Sequence, residues 1–503
     1  MSLPLLDRLE LLKGQFGAAP AGQAEKLLKQ LLRARIAGRD WLIRLHEAVL
    51  FLRAYPASPA VLKLADQILF GFAARICNAA EFDDPEISGI AGTTFSAMFS
   101  HEVAQRLCAR HRRAIAADWD GYEAPDALGS ALAKRLPLFA EDWPVEANIP
   151  YRKWLGQRGV AWLLEHLSAE EYEALRLPLA WNLGSSSATR SRARWPGGRV
   201  FYHDGPLIRR PEVSLEQEMH AAPLPVEKMD RLRAARLQDL ILDHSAVRYR
   251  ELYGFTWPDR SNVIRAEAGR GLEIYFFGVP AAHRLPLRAY HAGLFVKNGV
   301  PVGYVETLSL FERAEVGFNL YYTFREGETA WLYARMLRLL RQLLGVTAFS
   351  VDPYQVGLHN DEAIESGAFW FYRKLGFRPT SKSVARVMQL EEARMTAQAG
   401  HRTPARTLRR LAQGSLIYNG DPEWDGFSVR RLGIRLSGKA DGAAGWPQVV
   451  EAIGGFGQWT VEERRMLRET IAAKGAATET RYLRLLQMQP RLRRAVLKLG
   501  TES

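Results

Sequence analysis

Residues 289–324 read AYHAGLFVKNGVPVGYVETLSLFERAEVGFNLYYTF. Ala289–Lys297 and Val300–Leu310 are rich in aromatic and β-branched residues, the composition of strands. Asn298-Gly299 between them is the strongest short-range hairpin signal. A third strand is predicted over Glu315–Phe324, where the alternation is clean. Val316, Phe318, Leu320, Tyr322 and Phe324 share one face, and Glu315, Gly317, Asn319, Tyr321 and Thr323 the other.

Outward from this run, Leu272–Val279 reads as a preceding strand and Ala330–Leu344 as a following helix. Leu332, Met336, Leu339, Leu340 and Leu343 form the helix's apolar stripe, while Arg335, Arg338 and Arg341 lie off it, and Gly345 ends it. A short strand, Val346–Val351, leads through a polar loop, Asp352–Ser366, to G-A-F-W-F-Y-R-K-L-G-F at 367–377. Ala368, Phe371, Tyr372 and Leu375 fall on one helical face there, Gly376 provides a left-handed stop, and Phe377 begins a strand. The order is hairpin, strand, loop, helix, strand, helix, strand. The flanks differ. Residues 1 to about 180 carry apolar residues at helical spacing, and 181–225 lose periodicity and accumulate Gly, Ser, Pro and Arg. Beyond 395 the chain turns helical again, with a Gly- and Trp-containing interlude near 414–447 and a basic helix at Arg481–Leu499. The expectation is an α/β (α+β) chain in three regions: a helical 1–215, a sheet-bearing 216–395 and a mostly helical, basic 396–503.

The 503 residues are 47% hydrophobic and 24% charged, enough to bury several cores. Asp7, Arg8, Glu10 and Lys13 interrupt the N-terminal stretch, and no apolar run approaches the roughly 18–20 residues of a membrane span. Two cysteines without paired spacing, Cys77 and Cys108, suit a reducing compartment, so a cytoplasmic protein without membrane contact is expected. The net charge of +13 points to an acidic partner such as nucleic acid or a phosphorylated cofactor, or to the Arg-rich usage of high-GC genomes.

With those residues in view, the region from about 225 to 395 resembles the GNAT superfamily of N-acyltransferases, which use acyl-CoA to acylate amines. Ala368, Phe371, Tyr372, Lys374, Gly376 and Phe377 match the superfamily's pattern of alanine, aliphatic or aromatic residue, tyrosine, basic residue and Gly-Phe. The resemblance covers about 100 to 170 residues and implies a GNAT-like mixed sheet with helices on both faces. It implies acetyl-CoA (acyl-CoA) as co-substrate, no metal, and an amine-bearing small molecule or protein as acceptor. Tyr372 would protonate the departing thiolate, against the plain alternative of one more core ring. Glu315 would accept the amine's proton, with Glu306 as the alternative.

The cofactor loop departs from the family pattern of Arg/Gln-x-x-Gly-x-Gly/Ala. Residues 324–330 read Phe-Arg-Glu-Gly-Glu-Thr-Ala. One register places Gly327 on the first glycine, Thr329 on the second small position and Phe324 on the basic one. The other places Arg325 on the basic position and Ala330 last. In either, cofactor contacts are expected from Tyr322, Thr323, Phe324, Arg325, Gly327, Thr329, Ala330 and Lys374. Glu326 and Glu328 work against an anion unless they point outward.

Two alternatives stand beside the enzyme: a GNAT fold kept as a scaffold or CoA-sensing module, and a nucleic-acid-binding protein using the basic stretch 184–210. That stretch has Arg190, Arg192, Arg194, Arg199, Arg209 and Arg210, with Asp204 as the acid among them. Guanidiniums beside hydroxyls can hold phosphates of nucleic acid or of CoA. The zinc-protease-like His101-Glu102 lacks its second histidine, since position 105 is Gln, so no metal is expected there.

Overall fold

The 289–310 run folds as two neighbouring strands joined by Asn298-Gly299, both at positive φ (49° and 81°). This is seen in a computed structural model, which describes residues 3–78, 82, 87–136, 141, 155–156, 159–436, 446–453 and 456–501. Part of the interlude near 414–447, residues 437–445, thus lies outside the described residues. The fold is mixed α/β with a large mixed sheet, and the chain divides into two compact units.

The first unit comprises Met1–Pro206, Ala235–Thr256 and Lys297–Pro301. It is mainly helical, with α1 (Arg39–Ala54) buried along much of its length. A three-stranded antiparallel sheet joins β1 (Thr94–Ala97), β2 (Ile115–Ala117) and β3 (Leu179–Asn182), with β3 in the centre. Its interior is unusually polar. Arg190, only 3% exposed, donates through Nη2 to both oxygens of Glu47 (2.6 and 2.7 Å). Arg192 donates to Phe70 O (2.6 Å), and Arg194 to Asp66 (2.9 Å). In the basic stretch near 190, Arg190 is buried while Arg194 and Arg199 are exposed. The guanidiniums of Arg190, Arg192 and Arg194 are each bonded within this unit.

The second unit comprises Leu207–Ala234, Trp257–Val296 and Val302–Ser503. Its strands are β4 (Val226–Lys228), β5 (Ile264–Gly269), β6 (Leu272–Gly278), β7 (Ala289–Lys297), β8 (Val300–Leu310), β9 (Arg313–Leu320), β10 (Ala348–Val351), β11 (Arg378–Pro379) and β12 (Leu416–Tyr418). They form one sheet in the order β11-β12-β10-β9-β8-β7-β6-β5-β4. Strands β8 and β9 pair antiparallel over eight residues each, Gly303–Leu310 against Arg313–Leu320. The β9–β10 pair is parallel and spans only Arg313–Glu315 against Ala348–Ser350. Between these two strands runs the crossover helix α2 (Thr329–Leu344), closed by Gly345 in the left-handed region at φ 70°. A shorter helix, α3 (Ala368–Arg373), precedes Gly376, whose φ of 98° supplies the expected stop.

Two elements differ from the sequence expectation. The strand predicted over 315–324 starts at Arg313 and ends at Leu320. Tyr322–Phe324 instead form a 3₁₀ turn in which Phe324 N bonds Tyr321 O (2.9 Å). Alternation therefore breaks: Tyr322 is 66% exposed while Phe324 is fully buried. Secondly, the interlude near 414–447 contributes β12, which enters between β10 and β11. Among the described residues, no helix is long and apolar enough to cross a membrane.

Replacing Arg190 by Gln removes both charge-assisted hydrogen bonds to Glu47 from a buried site, which is expected to cost about 3 kcal/mol of unfolding free energy. Urea denaturation should show that loss, whereas Arg199→Gln, on the exposed surface, should change it by less than about 0.5 kcal/mol.

Candidate functional site

The register of β8 against β9 places Glu306, Leu308 and Leu310 opposite Gly317, Glu315 and Arg313, so these six share one face of the sheet. On that face lies a cleft of about 340 Å³, lined by Glu315, Arg313, Arg288, Asp352, Arg430 and Phe427 among others. Sequence reasoning named only Glu315 of these.

Arg313 is 7% exposed and donates through Nε to Ser350 Oγ (2.8 Å). Its guanidinium lies over the rings of Trp424 (5.1 Å) and Phe427 (5.7 Å), a desolvated cation–π arrangement. Burial pushes its pKa below the usual arginine value, and Glu315 opposes that shift. Glu315 Oε1 accepts from Arg288 Nη1 (3.2 Å), and its Oε2 lies 3.6 Å from Arg313 Nη2. Its carboxylate is thus held between two cations at the cleft wall.

Arg288 is fixed from behind by helices α4 (Val461–Ala476) and α5 (Glu479–Gln487). Lys474 Nζ donates to Arg288 O (3.0 Å), Glu479 accepts from Tyr290 N (3.3 Å), and the Tyr482 hydroxyl donates to Leu287 O (2.6 Å). Lys474 and Glu479 pair at 3.1 Å with both side chains buried, and burial lowers the lysine to about 8. Main-chain positions 287–290 are therefore clamped, and Arg288 lines the cleft. The Tyr290 hydroxyl donates to Glu306. Burial raises the Glu306 carboxyl above the usual range, and the Tyr290 hydrogen bond pulls the other way.

Tyr372 stands on the other face. Phe318 of β9 meets Tyr333 of α2 edge-on at 5.0 Å, and Tyr333 meets Tyr372 at 5.7 Å. Phe318 and Glu315 are three apart on one strand, so they point to opposite sides of the sheet. Tyr372 is 4% exposed, and burial raises its phenol above the usual tyrosine range, which keeps the proton on the oxygen. Phe369 is fully buried, and Trp370 Nε1 donates to Thr403 Oγ1 (3.0 Å), so both serve packing. Glu315 and Tyr372 thus lie on opposite faces of the sheet, and β9 continues five residues beyond its last pairing with β10.

Beyond β9 and the 3₁₀ turn the chain enters the N-terminus of α2. The Gly327 amide donates to Phe324 O (2.9 Å), so it closes the turn rather than facing outward. Glu328 does not point outward either. It is 1% exposed, accepts from Ile208 N (3.2 Å) and pairs with Arg270 (2.7 Å). The amides of Thr329 and Ala330 make no main-chain bond among the described residues. Around them, Arg325 pairs with Glu362 and bonds Leu320 O (3.2 Å), while Arg209 donates to Glu326 O (3.2 Å) and Arg210 to Lys374 O (3.4 Å). Two guanidiniums, Arg209 and Arg325, are thus held by main-chain oxygens next to the helix start, and Arg210 bonds the main chain of Lys374. Tyr322 is exposed beside them, and Thr323 and Phe324 are buried beneath.

Another constellation has the spacing of a nucleophile and its base, in the first unit. Ser191 Oγ lies 2.9 Å from His46 Nε2, and His46 Nδ1 lies 3.0 Å from Glu47. Ser191 and His46 are both fully buried, and Ser191 Oγ already accepts the Ala91 amide (2.9 Å), so these groups serve the core. His101 Nε2 is bonded to Leu164 O (2.9 Å). Among the described residues no group of three or more His, Cys, Asp or Glu could hold a metal ion. No family model, no curated protein and no solved structure matches this chain.

The raised Glu306 carboxyl has a consequence for stability. A folded pKa above the unfolded value of 4.5 gives stability that is full below 4.5 and is lost as pH rises through the folded value. Glu306→Gln keeps an acceptor for Tyr290 and cannot ionise. Relative to wild type, its urea midpoint should improve between about pH 4.5 and about pH 7. A pH-independent difference between the two proteins would contradict this.

Proposed function

We propose that this chain is an N-acyltransferase that moves an acyl group, acetyl in the simplest case, from acyl-CoA to an amine on a GNAT-like domain. The observation that carries the reading is the parting of β9 from β10. Pairing ends at Glu315 and Ser350 while β9 runs on to Leu320, with carboxylates on one face and a buried phenol on the other. The order of elements behind the resemblance, hairpin, strand, loop, helix, strand, helix and strand, is present over Ala289–Pro379 and supports it. The cationic rim at the start of α2 fits a phosphorylated co-substrate, because helix N-termini favour anions. Glu328 does not cancel that rim, since Arg270 neutralises it.

Acyl-CoA supplies the activated acyl group and leaves as the thiol. The rest falls to the chain. Arg209, Arg325 and Lys374, with the amides of Thr329 and Ala330, hold phosphate at the rim. Glu315 takes the proton of the attacking amine, with Glu306 as the alternative. Tyr372 gives its proton to the departing sulfur, a general-acid role worth roughly 10²–10⁴ in rate. One observation favours a second reading, a CoA-binding module without turnover: the Gly327 amide is engaged in its own turn, so the phosphate cradle is smaller than the family's.

Calorimetric titration with acetyl-CoA and release of thiol in a pooled panel of amines test both readings. Wild type should bind acetyl-CoA. Thr329→Glu should bind it at least about tenfold more weakly without loss of thermal stability, because a carboxylate in a helix's first turn contributes about 0.3–1 kcal/mol in its favour. Tyr372→Phe should bind acetyl-CoA as wild type does and lose roughly 10²-fold in turnover. Absence of acetyl-CoA binding by wild type would remove both readings, and binding without thiol release would leave only the module.

A further inference from the structure

The cleft that holds Glu315 has a charge pattern that discriminates among amines. Its ionic lining is Arg288, Arg313 and Arg430 against Glu315 and Asp352, three cations to two carboxylates. Such a lining repels a polyamine or an aminoglycoside, whose several ammonium groups need a carboxylate-dominated wall. A zwitterion meets a partner for each charge.

The cations also differ in what they are tied to. Arg313 is committed: Ser350 takes its Nε, and Trp424 and Phe427 cover its faces. Arg288 donates to Glu315 through Nη1, and among the described residues its Nε and Nη2 reach no protein acceptor. Arg430 is exposed and pairs with no carboxylate among the described residues. An open guanidinium edge beside a carboxylate suits a ligand that carries a carboxylate next to its amine, since the guanidinium fork matches carboxylate geometry. The cleft, at about 340 Å³, is at the lower end of the range for small-molecule sites, roughly 300–1,000 Å³.

We propose that the acyl acceptor is a free α-amino acid, bound as a zwitterion with its ammonium on Glu315 and its carboxylate on Arg288 and Arg430. This rests on the acyl-transfer reading for its chemistry. The ammonium first gives one proton to Glu315, which passes it to solvent. The freed amine nitrogen bonds the acyl carbon as the carbon–sulfur bond of the thioester breaks, the nitrogen's second proton goes to Glu315, and the sulfur takes the proton of Tyr372. Proton exchange with solvent returns Glu315 and Tyr372 to their starting states. The clamp by Lys474 and Glu479 acquires a purpose here, because it fixes the main chain from which Arg288 reaches into the cleft.

The test is calorimetry on the full chain saturated with CoA, titrated in turn with each standard L-α-amino acid, with the methyl ester and decarboxylated amine of every binder, and with spermidine. Acetyl-CoA is titrated separately. At least one amino acid should bind, its ester and decarboxylated amine should bind at least tenfold more weakly, and spermidine should not bind. Arg430→Gln, on the surface, should weaken the amino acid about tenfold with an unchanged unfolding midpoint. Arg288→Gln should do the same. Acetyl-CoA binding with no amino acid binding, or an ester or spermidine binding as tightly as the amino acid, overturns the acceptor class alone. Amino-acid binding without acetyl-CoA binding overturns the acyl-transfer reading and, with it, the role of acceptor.

Discussion

The pairing of β9 with β10 ends after three residues, and the candidate site depends on that. The cause is local and covalent. Strand β10 reaches Val351 and is followed by Asp352 and Pro353. Proline has no amide hydrogen to continue a ladder, and it restricts the residue before it. Asp352 then caps the short helix Pro353–Val356 by accepting from Tyr354 N (2.9 Å), which turns the chain out of the sheet. Strand β9 has no such stop and stays paired with β8 as far as Leu320. Strand β9 therefore runs on past the end of β10, and in the proposed reading the place where their pairing stops is where a ligand reaches both Glu315 and Tyr372.

Around that place the electrostatics is built from arginine more than from metal ligands or histidine. Arg288 and Arg313 flank Glu315, Arg270 neutralises Glu328, and Arg209 and Arg325 stand at the start of α2. The same habit appears in the first unit, where Arg190 closes on Glu47. Many arginines are thus engaged in internal hydrogen bonds and ion pairs. A planar fork of five donors makes arginine suited to this use, because one side chain can satisfy a carboxylate and a carbonyl together.

The central hairpin, α2 with its Gly345 stop, and the Tyr372 helix ending at Gly376 were legible because each is a local pattern with a period or a turn residue to mark it. The end of β9 was not. Alternation continues in the residues through Phe324, but Tyr321 N finds its acceptor in Val302 and the chain then tightens into a 3₁₀ turn. Which residues wall the cleft was equally hidden. Arg288, Arg313 and Trp424 come from segments far apart in sequence, and β12 arises in a stretch without strand periodicity of its own. Glu315 was legible as a carboxylate on a polar strand face. Its two guanidinium neighbours, which decide what it can bind, were not. The loop at 324–330 read correctly as a strand–helix junction, yet only the fold reveals that the Gly327 amide is turned inward and that the carboxylate of Glu328 is buried and neutralised.

The claim that acyl-CoA binds where the pairing of β9 with β10 ends can be tested without knowing the acceptor, by hydrogen–deuterium exchange with and without acetyl-CoA. Protection should appear in peptides covering Val316–Leu320 and the first turn of α2, Thr329–Leu332, and leave the first unit's sheet, Thr94–Ala97 and Leu179–Asn182, unchanged. Binding with protection elsewhere, or none at Val316–Leu320, would contradict the account.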